Sequence, residues 1–138
     1  MLIMRILVLL PLVSTCTTGV ANETCEFTSK TGTYSSLSFS DQGGDLLGIE
    51  VAVSYAPDSY YVVFQSAQGV PEPPVVTPAE IEDGRIRFVL PEESSYRRFE
   101  GTITPCRITG DFGEQRGPTG AKRIELQKRV SYWHRQSR

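Results

Sequence analysis

The most constraining feature of this 138-residue chain is a segment that reads nearly the same in both directions. The segment runs from Phe99 to Phe112 as FEGTITPCRITGDF, with Pro105-Cys106 at its centre. Folding it at that centre places phenylalanine opposite phenylalanine, glycine opposite glycine and isoleucine opposite isoleucine. This pattern predicts a β-hairpin whose two strands present like residues to the same face of a sheet.

Alternation of apolar and polar residues also dominates the rest of the chain. In residues 47–55, LGIEVAVSY, most apolar side chains fall on one face, which is typical of a half-buried strand. Turn residues such as Asp83-Gly84 separate the alternating segments at short intervals. Beyond the first 21 residues no segment has the apolar period of an amphipathic helix, so little helix is expected. Strands are predicted near 32–40, 47–55, 60–67, 74–82, 85–90, 97–104, 107–112 and 123–132.

This series of short strands predicts an all-β fold, an antiparallel meander of about eight strands. Closure into a barrel would remove exposed strand edges, so a closed barrel is expected, with a β-sandwich as the alternative. Glycines paired inside strands allow a sheet to bend at a barrel corner, or allow a ligand to approach the backbone. The residues expected to line the barrel lumen are Tyr34, Val51, Val53, Phe99, Gly101, Gly110 and Phe112.

The first 21 residues have the three-part layout of a secretory signal peptide. Arg5 precedes the apolar run ILVLLPLV, and small residues then lead to Ala21. Cleavage between Ala21 and Asn22 would leave residues 22–138 as a single β-barrel domain with a short mobile C-terminal tail, secreted or periplasmic. The sequence VSTC, ending at Cys16, resembles the lipobox of bacterial lipoproteins, so a lipid anchor is the alternative. No apolar run reaches the roughly 20 residues of a transmembrane helix.

Removal of the signal peptide would leave two cysteines, Cys25 and Cys106. In an exported chain such a pair predicts a disulfide, which would tie the hairpin turn to the start of the mature chain. The alternative is a nucleophilic or metal-binding cysteine. A cysteine nucleophile normally needs a base such as histidine, and the only histidine is His134, near the C-terminus.

The residues Thr31-Gly32-Thr33-Tyr34 resemble the Gly-x-Trp opening of the calycin barrels, the lipocalins and avidins, and the strands with Gly101 and Gly110 have a similar look. This resemblance implies a barrel that holds a ligand. It does not extend to biotin binding, since avidins line their pocket with several tryptophans and Trp133 is the only one here. Residues 131–133, Ser-Tyr-Trp, also resemble the ending of small, uncharacterised, secreted bacterial proteins, which implies export.

The sequence predicts no catalytic residue, no metal site and no cofactor. A serine triad needs a histidine base within the fold, and a zinc site needs clustered cysteines and histidines. A glycosidase needs only two carboxylates at a suitable separation. Because the chain has 16 acidic residues, some pair will lie at almost any distance, and no particular pair is indicated.

A candidate interface lies in residues 60–64, YYVVF, which are apolar on both faces although a barrel strand needs only one apolar face. The outward residues, Tyr61 and Val63, would contact a second copy of the chain or another protein. Cover by a loop or by the N-terminal segment is the alternative.

The charge distribution suggests a second surface. Residues 22–93 contain 12 acids and 3 bases, whereas residues 94–138 contain 4 acids and 10 bases. Pairing of opposite charges across neighbouring strands would explain this division, and so would a basic patch for an anionic partner such as envelope lipid, polysaccharide or an acidic protein. Nucleic acid is not expected as a partner of an exported chain. The candidate patch consists of Arg123, Lys128, Arg129, Tyr132, Trp133 and Arg135.

Three functional hypotheses follow. The first is a binding module for a small apolar ligand or for a partner protein, in the manner of an inhibitor. The second is a structural or interaction protein of the cell envelope, and the third, ranked last, is a hydrolase with a carboxylate pair. A roomy apolar lumen would favour the first hypothesis, a lumen filled by its own side chains the second, and a deep cleft with two convergent acids the third.

Overall fold

The computed structural model of the chain describes residues 25–113 and 122–136. The signal peptide predicted over residues 1–21, its cleavage site at Ala21 and Asn22, and Cys16 lie outside the described residues. Within them the chain forms strands β1 Gly32–Ser35, β2 Ser38–Ser40, β3 Asp45–Ala56, β4 Ser59–Gly69, β5 Val75–Glu82, β6 Arg85–Val89, β7 Arg98–Ile103, β8 Arg107–Gly113 and β9 Lys122–Lys128, and helix α1 Tyr132–Gln136.

The strands form one antiparallel barrel. From β2 to β9, each strand pairs with the next one along the chain, and β1 pairs with both β3 and β9. β1 therefore closes an eight-stranded barrel, and β2 is an additional strand beside β3. The prediction of a closed all-β meander is confirmed, and the barrel rather than the sandwich is the architecture. No helix in the described part of the chain is long and apolar enough to cross a membrane.

The palindromic segment forms the β7–β8 hairpin in the predicted register. Phe99 pairs with Phe112, Gly101 with Gly110, and the two isoleucines with each other. The ring of Phe99 lies over both glycines, since a Cβ on Gly101 would fall 2.9 Å from its Cζ and a Cβ on Gly110 only 2.7 Å from it. The nearest atoms to either Cβ would be backbone carbonyl oxygens, of Thr109 for Gly101 and of Glu100 for Gly110. The paired glycines therefore allow the two backbones to approach closely and also leave room for an aromatic ring inside the barrel.

The prediction of one continuous strand over residues 32–40 is wrong. The strand breaks at Ser36, where the side-chain hydroxyl accepts the backbone N–H of Ile49 at 3.1 Å. Across from this break, Gly48 has a φ of 120°, and a Cβ there would fall 2.6 Å from the carbonyl oxygen of Ser36. A serine that replaces a ladder hydrogen bond and a glycine that permits close approach together separate β1 from β2.

The prediction of a strand over residues 123–132 is also wrong at its C-terminal end. The pairing with β1 continues as far as Arg129, whose N–H donates to the carbonyl of Thr33 at 3.0 Å. The chain then leaves the sheet and turns over the outer surface, where Tyr132–Gln136 forms α1. There it contacts a buried carboxylate on β3, described below.

Candidate functional site

The seven residues predicted to line the lumen all belong to the inward-facing side of the barrel. Most are fully buried, and Gly101 is half-buried. Five aromatic rings fill the centre, with centroids of contacting rings 4.7–6.3 Å apart, the separations expected for packed aromatic side chains. The candidate lumen is therefore the hydrophobic core. The five rings belong to Phe64, Phe88, Tyr96, Phe99 and Phe112.

One end of the barrel is closed by Tyr96, which is 3% exposed. Its hydroxyl accepts hydrogen bonds from Nζ of Lys122 at 3.1 Å and from Nε2 of Gln68 at 3.4 Å. Nearby, the carboxylate of Glu72 accepts the hydroxyl of Ser66 at 2.6 Å and that of Ser95 at 2.9 Å. These bonds tie the connections after β4 and β6 over the packed rings.

The other end is closed by Tyr34. Its hydroxyl lies 2.8 Å from the carbonyl oxygen of Lys30 and 2.9 Å from that of Thr104, and its proton is shared between these two acceptors. Burial raises the pKa of Tyr34 to about 12. Nζ of Lys128 lies 5.3 Å from the centre of the Tyr34 ring and donates to the carbonyl of Ser29. Burial lowers the pKa of Lys128.

A disulfide joins Cys25 to Cys106 at this same end, with the two Cα atoms 5.8 Å apart. It links the segment before β1 to the β7–β8 turn, as the sequence predicted. In that turn the N–H of Thr104 donates to the carbonyl of Arg107 at 2.9 Å. The segment that leads into the closing strand β1 is thus joined to the hairpin turn by a covalent bond.

The candidate interface residues lie on the outer side of β4, as predicted. Val63 is 37% exposed and stands between Ala52 on β3 and Val76 on β5, while Tyr61 is half-buried two residues away on the same face. Val76 is 67% exposed. The name β4 surface is used below for four residues: Tyr61, Val63, Val76 and Trp133, whose position is described next.

Residues 129–136, called the C-terminal strap, cover the neighbouring part of the outer surface. Glu50 on β3 is 7% exposed, and its carboxylate accepts the hydroxyl of Ser131 at 2.5 Å and the N–H of Tyr132 at 2.9 Å. The indole N–H of Trp133 donates to Oε1 of Gln65 at 2.6 Å. Because Gln65 lies two residues after Val63 on β4, this bond places Trp133 near Val63. Tyr132 packs against a small cluster of Leu37, Leu46 and Ala67. Cover by a loop or by the N-terminal segment was the alternative for this face. The C-terminal strap covers only the part around Glu50 and Gln65, and Val63 remains exposed.

The structure does not bring the candidate basic patch together. Arg123 lies on the outside of β9, 3.6 Å from Asp111, whereas Lys128 points to the disulfide end of the barrel. Arg129, Tyr132 and Trp133 belong to the strap, where Nε of Arg129 is buried with no hydrogen-bond partner among the described residues. The side chain of Arg135 lies outside the described part of the structure.

Opposite charges pair across neighbouring strands instead. Arg87 on β6 lies 2.7 Å from Glu80 on β5, and Arg107 on β8 lies 3.2 Å from Glu125 on β9. Each of these pairs lies within one part of the chain, residues 22–93 or residues 94–138, so they do not account for the uneven charge distribution between the two parts. Among residues 25–113 and 122–136, no group of three histidine, cysteine or acidic side chains is arranged to hold a metal ion.

No protein-family model matches the chain, and no match is found among curated proteins or solved structures. The function of the chain therefore has to be inferred from its own core and surface.

Proposed function

We propose that this chain is an exported interaction module that binds a partner protein through the β4 surface and uses its packed barrel as a rigid support. One observation carries the proposal: aromatic side chains of the chain itself fill the barrel, while valines and aromatic residues remain exposed outside it. A filled interior favours a protein partner over a small apolar ligand in the lumen, because such a ligand would have to displace buried rings.

The β4 surface has the chemistry of a protein-binding site. Val63 on β4 and Val76 on β5 are directly opposite each other on these neighbouring strands, so their exposed methyl groups form a continuous apolar area. Tyr61 and Trp133 flank this area, and tyrosine and tryptophan are enriched among residues that dominate binding energy. The hydrogen bond from the indole to Gln65 fixes the orientation of Trp133 before any partner binds.

Export is supported by the disulfide, since such bonds persist in oxidising compartments. We place the mature protein outside the cytoplasm, secreted or periplasmic, with Asn22 as its first residue. Its closed barrel agrees with the calycin-like architecture that residues 31–34 suggest. Intact mass of the exported protein tests this assignment, with Asn22 first and two hydrogens gained on reduction. A lipid-modified Cys16 would support the membrane-anchored alternative instead.

Site-specific photo-crosslinking in cells that produce the protein tests the partner. A photoreactive phenylalanine analogue at Val76 should give a cross-linked product with a polypeptide other than a second copy of this chain. The same analogue at Glu125, an exposed residue on the outer side of β9, should not. Val63→Asp should remove the product from Val76 by introducing a charge into the apolar area. Equal products from both positions, or none from Val76, would contradict the proposal.

A structural role in the envelope is the second candidate, and the same filled core favours it. In that case, cells that lack the protein should have altered envelope integrity. The Val63→Asp variant should restore integrity in these cells to the same extent as the unchanged protein. If Val63→Asp fails to restore it although the variant is folded and exported, the β4 surface is required, as for partner binding.

A further inference from the structure

The outer side of the β5–β6 hairpin separates acids from bases by strand. Asp83 and Gly84 form its turn with φ values of 48° and 76°, as in the two-residue turns that match strand twist. Outward residues of β5 are apolar and then acidic, and those of β6 are basic and then apolar. We call this the hairpin face, and its residues, all exposed, are Pro78, Glu80, Glu82, Arg85, Arg87 and Val89.

The register pairs unlike charges across this face. Glu80 lies opposite Arg87, and Glu82 lies opposite Arg85. Continuation of the same register places Pro78 opposite Val89, and a shallow depression on the face is lined in part by these two residues.

Within one copy of the chain, these side chains remain exposed enough to contact another molecule. The side chains of Arg87 and Glu80 form an ion pair but remain 52% and 74% exposed. Glu82 and Arg85 form no ion pair with each other in the described structure, although they are directly opposite in the register. Val89 is 51% exposed beside them.

We propose that the hairpin face binds a second copy of this chain, around a two-fold axis that runs parallel to the strands between β5 and β6. Such an axis exchanges the two strands, so each residue meets the copy of its own cross-strand neighbour. Glu80 then meets Arg87 of the second copy, Glu82 meets Arg85, and Pro78 meets Val89. Each contact occurs twice, which gives four intermolecular ion pairs and, at the end of the face away from the turn, two apolar contacts.

Charge complementarity favours a second copy over other occupants of this face. A face with acids on one strand and bases on the next is complementary to itself under this rotation. A different protein would need bases where this face has acids, and acids where it has bases. The hairpin is small, so the buried area lies at the low end for specific complexes and the dimer should be weak and concentration-dependent. This interface adjoins the β4 surface, since Pro78 pairs with Tyr61, but its charged contacts involve none of the β4 surface residues and do not depend on the proposed partner.

Two complementary charge reversals test the interface. In Glu80→Arg both positions of the pair are basic, and in Arg87→Glu both are acidic. Each variant alone should lose self-association by more than about tenfold, because like charges would meet across the axis. An equimolar mixture should form heterodimers with an affinity near that of the unchanged protein. Sedimentation analysis from roughly 10 µM to 1 mM, with one variant mass-tagged, measures this.

The mixture is its own control for folding. Both variants carry the same like-charge clash inside the hairpin, so damage to the fold cannot explain association that appears only on mixing. Arg107→Glu, which breaks an exposed ion pair on the β8–β9 side, should leave self-association unchanged. A monomeric unchanged protein at the highest concentration would overturn the proposal, as would single variants that dimerise normally or a mixture that stays monomeric. Loss of cross-linking at Val76 with dimerisation intact would count against the proposed function alone.

Discussion

Phe99 lies over two glycines because β7 and β8 bring Gly101 and Gly110 together beneath its ring. The ring fills the space that two side chains would otherwise need, and it stacks on Phe88 at a centroid distance of 5.1 Å. A sequence reader can predict this pairing because the register of a short hairpin follows from its local symmetry. Whether the glycines serve a bend, a ligand or a ring cannot be read from the sequence, since the answer depends on which rotamer Phe99 adopts.

Gly110→Ala should therefore be strongly destabilising. Its Cβ would fall 2.6 Å from the Cα of Gly101 and 2.7 Å from Cζ of Phe99, so backbone and ring would both have to move. We expect a loss of at least about 2 kcal/mol in the free energy of unfolding, measured by urea denaturation. Gly113→Ala on the same strand is the matched control, because a Cβ there meets nothing within 4 Å. Equal effects of the two substitutions would contradict the packing described here.

Tyr34 should make stability sensitive to alkaline pH. Burial raises its pKa from 10.0 in the unfolded chain to about 12, so the folded state holds the phenolic proton more tightly. The stabilisation is complete below pH 10 and is lost as the pH rises through 12. Lys128, whose pKa burial lowers, has the opposite effect as it loses its proton. The difference between unchanged protein and Tyr34→Phe in urea denaturation should therefore shrink between pH 9 and 12, and a constant difference would contradict this expectation.

At the scale of elements, the C-terminal strap is the feature that sequence periodicity could not reveal. Ser131 and Glu50 are 81 residues apart, and Glu50 occupies a position in β3 where any polar residue would look ordinary. The alternation in residues 123–132 continues past the true end of β9, so periodicity alone extends the strand too far. The strand ends where the strap begins its contacts with Glu50, Gln65 and the Leu37 cluster, all of them distant in sequence. The strands themselves were predictable to within a few residues because alternation and turn residues are local signals.

Glu50→Ala should release the strap. The substitution leaves the hydroxyl of Ser131 and the N–H of Tyr132 without their acceptor, and we expect a loss of about 1–3 kcal/mol in the free energy of unfolding. Trp133 is the single tryptophan, so its emission should shift to longer wavelength and become easier to quench with acrylamide. Glu93→Ala, at an exposed position between β6 and β7, should change neither quantity. Unaltered tryptophan emission in Glu50→Ala would show that other contacts hold the strap.

At the scale of the whole molecule, closure of the barrel and its disulfide act at the same place. The class of fold was predictable, since many short strands with tight turns have few stable arrangements that leave no edge. The cysteine pairing was predictable for a simpler reason, because only two cysteines follow the expected signal peptide. The packed interior was not predictable, since strand periodicity shows which side chains point inward and not whether they fill the space between them.

Replacement of both cysteines, Cys25→Ser with Cys106→Ser, should lower the free energy of unfolding without changing the fold. The bond joins residues 81 positions apart, and loss of such a link from a small domain costs about 2–5 kcal/mol. Far-ultraviolet circular dichroism should remain that of the unchanged protein, while the midpoint of urea denaturation falls. Unchanged protein treated with a thiol reductant should show the same midpoint as the double variant. A shared midpoint for oxidised and reduced protein would contradict the expected contribution.

The pairing of β1 with β9 also determines when the chain can fold. Tyr34, near the start of the described residues, pairs with Lys128, near their end. In a polypeptide that emerges with its N-terminus first, β1 therefore cannot pair with β9 until all the strands between them have been made. Until β9 is available the sheet remains an open ribbon with two unpaired edge strands, so closure of the barrel has to come after synthesis of its last strand.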